Sequence, residues 1–88
     1  MVLQSFKPGD DVRFGVDAAT LRTLNPRAVL ASVTAYGPED PRPGFDAVLQ
    51  AEAGFTFMNG DPDGPPTKMP VALVDLLAAH QLKEGILL

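Results

Sequence analysis

The clearest pattern of apolar and polar positions lies at Ala28–Tyr36 (AVLASVTAY). Val29, Ala31, Val33 and Ala35 point one way and Leu30, Ser32, Thr34 and Tyr36 the other, as successive side chains of a strand do. A second, shorter apolar run, Val2–Phe6, stops at Lys7-Pro8-Gly9, a turn signal. Asp10 and Asp11 read as a continuation of that loop. Asp17 is placed as the N-cap of a helix over Ala18–Leu24. Asn25-Pro26 ends it, because proline disfavours helical geometry in the residue before it. Strand, helix and strand in so short a space predict a βαβ unit with a parallel pair. Ligands of such units bind beyond the carboxyl ends of the strands, here the loops Phe6–Gly9 and Tyr36–Pro38.

The period then changes. Gly37–Gly44 (GPEDPRPG) reads as a rigid proline-rich loop. Phe45–Met58 has helical spacing, with Phe45, Val48, Leu49 and Glu52 on one face. Asn59–Pro70 (NGDPDGPPTKMP) is a turn-rich linker without a core signal. Pro70–Leu88 (PVALVDLLAAHQLKEGILL) is apolar nearly all round and predicts a helix. On a wheel of 100° per residue, Val71, Ala78, Ala79, Leu82 and Ile86 fall within about 60° of Asp75. His80, Gln81 and Glu84 fall on the far side. Asp75 is therefore expected on a buried stripe, where an ionised carboxylate is costly unless paired or used. Two readings stand: an acid favoured by the positive end of its helix, or a catalytic group. Glu52, a second carboxylate on an apolar stripe, reads as structural or solvent-reaching, because Gly54 is a candidate early end of its helix.

Composition narrows the chemistry. Eighty-eight residues make one small domain or a piece of a larger one. The chain has no Cys and a single His, His80, which excludes disulfides, thiol catalysis and Cys- or His-based metal clusters. The net charge of −4 argues against a nucleic-acid partner. That charge is uneven: residues 1–30 carry four basic groups against three acidic, residues 31–88 three basic against eight acidic. An anionic ligand is better placed in the first third. No basic region precedes a long apolar run, so no signal peptide is expected. No apolar run approaches the ~20 residues that span a bilayer. A soluble, cytoplasmic protein without a membrane partner is expected. No phosphate-binding glycine loop, dinucleotide fingerprint or nucleophile elbow is present.

Seven strings, taken in order, carry a resemblance. They are Phe6-Lys7-Pro8-Gly9, Leu21-Arg22-Thr23-Leu24-Asn25-Pro26-Arg27, Tyr36-Gly37-Pro38, Arg42-Pro43-Gly44-Phe45-Asp46, Gln50-Ala51-Glu52-Ala53-Gly54, Asp61-Pro62-Asp63-Gly64-Pro65-Pro66 and Val74-Asp75-Leu76. Their order and spacing resemble the class III CoA-transferase family, which includes formyl-CoA and carnitine CoA-transferases and the α-methylacyl-CoA racemases. Each string alone is weak; the ordered set, with R-P-G-F-D and D-G-P-P, is specific and covers Val2 to Leu88.

The resemblance implies an α/β fold: a βαβ piece of a Rossmann-like family III domain followed by helices. Family members are several times longer, so an incomplete, internal piece is expected, divided into a βαβ segment (1–37), a loop-helix-loop (38–69) and a helix (70–88). Such a piece alone is expected to turn over little. The family's catalytic aspartate falls at Asp75. In the transferases this aspartate attacks an acyl-CoA thioester and passes through an aspartyl-CoA intermediate, so coenzyme A, bound as acyl-CoA, and a carboxylic acid are the implied substrates, with no metal. CoA contacts match Ser5, Phe6, Lys7 and Arg13, with Gly44, Phe45 and Asp46 also lining the site. A homodimer, or association with the rest of the enzyme, is implied. The racemases carry a catalytic His where this chain has Phe45, which cannot move a proton, so transferase is favoured over a 2-methylacyl-CoA racemase or epimerase. Ser5 replaces the family's usual Asn, Ala79-His80 replaces the glycine often found after the catalytic string, and the loop Gly37–Arg42 is shorter than usual. A non-catalytic CoA-binding or degenerate fragment is the remaining reading.

Overall fold

The computed structural model describes residues 1–88. Two short strands, β1 (Val2–Gln4) and β2 (Leu30–Ser32), pair in parallel with Val2 opposite Leu30, Leu3 opposite Ala31 and Gln4 opposite Ser32. Hydrogen bonds from Val2 N to Val29 O (2.8 Å) and from Val33 N to Gln4 O (3.0 Å) extend the ladder at both ends. Helices α1 (Asp10–Arg13) and α2 (Ala18–Leu24) form the crossover. This is the expected α/β arrangement: a parallel βαβ unit followed by α3 (Asp46–Glu52), α4 (Phe55–Met58) and α5 (Leu73–Leu87). α5 lies against both α3 and β2. No helix is long and apolar enough to cross a membrane.

The turn after β1 explains both a short strand and an unexpected helix. Lys7 O accepts from Asp10 N at 3.0 Å, and Gly9 has φ 90°. Pro followed by a positive-φ glycine makes a type II turn. Asp10 and Asp11, expected in loop, form the first residues of α1 instead. Acidic side chains are favoured in such a first turn. Alternation along Ala28–Tyr36 overestimated β2, which is only three residues long. A strand needs a partner, and β1 ends at Gln4.

α2 behaves as its sequence predicts. One Asp17 carboxylate oxygen accepts from the N–H groups of Ala19 and Thr20, both at 3.0 Å, and the other from the Thr20 hydroxyl at 2.6 Å. Asn25, before Pro26, is extended.

The stretch of helical spacing over Phe45–Met58 is two helices, broken at Gly54, the residue that the sequence marks as an early end. Gly54, at φ 83°, separates α3 from α4. A left-handed glycine at this position closes a helix because no Cβ opposes it. The inward face is also corrected. Asp46, Leu49 and Gln50 turn inward, whereas Phe45 and Val48 are exposed and Glu52 reaches solvent. α5 starts three residues later than Pro70. Its half-covered stripe is Val74, Ala78, Leu82 and Ile86. Asp75 stands at the edge of this stripe and is exposed, not buried. Burial is sparse throughout: Ala31 and Gln50 alone are buried, and the radius of gyration is 16.4 Å, against ~12 Å for a compact domain of this length.

The Asp17 cap gives a pH-dependent expectation. The Thr20 hydroxyl, then the Thr20 amide, hold the Asp17 carboxyl below its ordinary 3.8. Its stabilising contribution is full above that value and is lost as pH falls through the lowered one. Acid titration of the Ala19 and Thr20 amide signals by NMR should show this late loss. Asp17→Asn should keep the cap and abolish the pH dependence, whereas Asp17→Ala should fray the helix start at every pH.

Candidate active site

A groove runs along the carboxyl end of the two strands. Three adjoining hollows, of about 440, 230 and 220 Å³, all include Ser5, Val33 and Gly44 in their walls. They join the loop after β1 to the start of α5. Phe6, Lys7 and Pro8 line one end. Asp75, Ala78 and Leu82 line the other. The β1 loop and the segment after β2 form the floor, and the loop Gly37–Gly44 forms a wall. Gly44 is required there by contact: a Cβ on it would lie 2.0 Å from the Ala35 Cβ.

The wall is braced internally. Arg42 Nη2 donates to Asp40 at 2.8 Å, and its Nε lies 3.0 Å from the same oxygen. The Arg42 guanidinium sits 3.8 Å over the Tyr36 ring, a cation–π stack, and its Nη1 approaches Glu52 at 3.8 Å. Arg42 holds the Asp40 carboxyl below its ordinary range. Loss of water, then the Glu52 carboxylate, pushes the Tyr36 hydroxyl above its own. Arg42 is thereby occupied within the loop. Lys7 has no ion pair and is the free cation of the groove.

The other end depends on a polar junction. Gln50 is completely buried. Its Nε2 donates to Asp46 Oδ2 at 2.6 Å and to Val71 O at 3.0 Å, and its Oε1 accepts from Met69 N at 2.8 Å. Asp46 Oδ1 accepts from Val74 N at 2.8 Å and Asp75 N at 3.2 Å. Asp46 thus caps α5, whose own N-cap residue, Ala72, offers no side-chain acceptor. The Asp75 carboxylate has no hydrogen-bond or ion-pair partner in the chain and borders the groove.

Of the residues singled out in the sequence, Ser5, Phe6, Lys7, Gly44, Phe45, Asp46 and Asp75 come together along this groove. Arg13 does not line it. Its guanidinium lies 5.4 Å from the centre of the Phe14 ring, which packs 5.3 Å from Phe6, and it approaches Asp10 at 4.0 Å. Gln50 was missed as a site residue. Its signal was available: it follows Asp46 by four residues on a helix, a spacing at which amide and carboxylate meet.

A profile of CoA-transferase family III matches residues 1–88. The chain belongs to CoA-transferase family III. Over 90 residues it is 40% identical to the probable fatty acyl-CoA transferase Rv3272 of Mycobacterium tuberculosis, matching 99% of this chain and 23% of that protein. It is 35% identical over 79 residues to the succinate–glutarate CoA-transferase of Agrobacterium fabrum, covering 86% of this chain and 20% of that protein. The crystal structure of Rv3272 in an orthorhombic form superposes with a TM-score of 0.85 at 39% identity, over 98% of this chain and 25% of that one. This family III chain therefore spans about a quarter or less of the length of the relatives it matches.

Gln50 gives the test of this construction. Gln50→Leu leaves the Met69 N–H and Val71 carbonyl unpaired, and each such loss costs about 1–3 kcal/mol. Urea unfolding should show a loss of about 2–4 kcal/mol, against less than about 0.5 kcal/mol for a change at the exposed His80.

Proposed function

We propose that this chain supplies the acyl-CoA groove and the nucleophile of a CoA-transferase that moves CoA between an acyl-CoA and a carboxylic acid. The carrying observation is that the unpaired Asp75 carboxylate opens on a groove continuous with Phe6 and the free cation Lys7. An extended ligand with an anionic, aromatic head and a reactive thioester tail matches those two ends. Lys7 meets the phosphates as a point charge, and Phe6 offers a face to the adenine. Ser5, Gly44 and Phe45 line the path between them. Arg13 lies outside the groove, beside Asp10.

Each step balances without a redox partner. An Asp75 oxygen bonds to the thioester carbonyl carbon, the C–S bond breaks, and CoA leaves as a thiolate. The resulting mixed anhydride is attacked by that thiolate at the aspartyl carbon, which releases the first carboxylate and leaves an aspartyl-CoA thioester. The incoming carboxylate reverses the sequence. A carboxylate is a weak nucleophile while fully hydrated, so exclusion of water by the bound substrate is part of its activation. Phe45, which cannot accept or donate a proton, disfavours a racemase, and the relatives named above are transferases. A Rossmann-like complete domain and a homodimeric enzyme fit the same reading.

Trapping checks it. The full-length protein, incubated with hydroxylamine and succinyl-, acetyl- or palmitoyl-CoA, should acquire a hydroxamate at Asp75, located by peptide mass spectrometry. Asp75→Ala should lower CoA transfer by at least about a thousandfold. A hydroxamate at another carboxylate, or undiminished transfer in Asp75→Ala, rejects the assignment.

A further inference from the structure

α5 is capped in an unusual way. A helix start leaves its first N–H groups without intrahelical partners, and a Ser, Thr, Asp or Asn at the N-cap ordinarily supplies the acceptor. Ala72 cannot. The acceptor comes instead from Asp46, 28 residues before Val74 and 29 before Asp75. A local cap would stabilise the helix wherever it lay. This remote one also fixes the helix start against the groove wall, because Asp46 directly follows Gly44 and Phe45 there. Gln50 holds the second Asp46 oxygen and ties Met69 and Val71, on the approach to α5, to the same point.

The arrangement has a chemical consequence for Asp75. A carboxylate in the first turn of a helix can fold back onto the free amides beside it. Here the Val74 and Asp75 amides are taken by Asp46. The Asp75 carboxylate cannot take these two amides, and it makes no hydrogen bond or ion pair of its own beside the groove. A carboxylate with free lone pairs, held by a fixed backbone, is a better nucleophile than one that donates density to amides.

We propose that Asp46, clamped by Gln50, is a positioning residue that fixes the Asp75 backbone and keeps its carboxylate free for attack on a thioester. The proposal rests on Asp75 being the nucleophile. It assigns Asp46 to the orientation of Asp75 and not to contact with CoA, the role its string suggests by resemblance.

The two roles differ in kinetics. In the full-length protein, the rate of Asp75 hydroxamate formation is measured against acyl-CoA concentration, using whichever of succinyl-, acetyl- and palmitoyl-CoA labels the native protein fastest. Rates are expressed per folded molecule from circular dichroism. Asp46→Ala should lower the maximal rate about ten- to a hundredfold, with the half-saturating concentration changed less than about threefold. Amide exchange at Val74 and Asp75 should accelerate at least about tenfold. Asp46→Asn keeps an oxygen acceptor for the two amides and should recover part of the rate; it also carries the test if the alanine variant does not fold. A raised half-saturating concentration with an unchanged maximal rate makes Asp46 a CoA contact and overturns the proposal. So does a native rate per folded molecule in Asp46→Ala, or an asparagine variant no better than alanine. Label at Asp75 in the native protein together with any of these results leaves the nucleophile reading standing. Absence of label at Asp75 in the native protein removes both.

Discussion

The hydrogen-bonded junction of Asp46 and Gln50 is what the second half of this chain depends on. Burial cannot do that work, since Ala31 is the one buried hydrophobic residue and Gln50 the one fully buried side chain. Apolar contact is non-directional and tolerates sliding. Hydrogen bonds to Met69 N, Val71 O, Val74 N and Asp75 N set one register for the approach to α5. Two side chains one helical turn apart thereby connect the groove wall to the carboxylate that faces it. A buried polar group is costly when partly satisfied and specific when fully satisfied, and Gln50 uses both its amide hydrogens and its carbonyl oxygen.

Electrostatics divides the groove in a complementary way. Three cations lie near it, but they are not equivalent. Arg42 is stacked on Tyr36 and paired with Asp40, so its charge is neutralised inside the wall. Arg13 sits outside, beside Asp10 and Phe14. Lys7 remains unpaired, at the end opposite Asp75. The charge imbalance between the first third and the remainder of the sequence therefore becomes a directional feature: the unpaired cation Lys7 stands at one end of the groove, and the unpaired Asp75 carboxylate, the proposed nucleophile, at the other.

Much of this was legible in the residues. The parallel βαβ unit follows from alternation in Ala28–Tyr36, the Asp17 cap and the Asn25-Pro26 stop, because each acts locally. The ordered strings from Phe6 to Leu76 pointed to the family. The differences have two causes, the partners that an element meets and the conformation that a glycine adopts. Strand β2 is short because β1 is short. Asp10 and Asp11 became helical because the Pro8-Gly9 turn sets up the next turn of chain. α3 ends at Glu52 because Gly54 adopts a left-handed conformation, which glycine permits without demanding it. The face of α3 was misread because Phe45 and Val48 are more hydrophobic than Gln50, yet Gln50 is the residue that meets Met69 and Val71. No periodicity rule places a glutamine ahead of a phenylalanine.

The misplacement of Asp75 alters how its reactivity must arise. On the wheel, its own helix was to bury it and strip its water. In the structure it is exposed at the margin of the Val74–Ala78–Leu82 stripe, so α5 does not desolvate it. Most of its neighbours in the groove are small or apolar, among them Gly44, Ala78, Ala79 and Leu82, and of the polar ones Asp46 is engaged with backbone amides and Gln50. Such a surface offers little to compete with water for a carboxylate, but it accepts an apolar acyl chain readily. On the proposed mechanism, desolvation then accompanies occupancy: the substrate that presents the thioester also displaces the water around Asp75. In that mechanism the carboxylate is hydrated and unreactive while the groove is empty, and becomes nucleophilic only when a thioester lies against it. That coupling requires the Asp75 backbone to be fixed before the ligand arrives, since an exposed first turn has no burial to hold it, and the remote cap from Asp46 supplies that constraint.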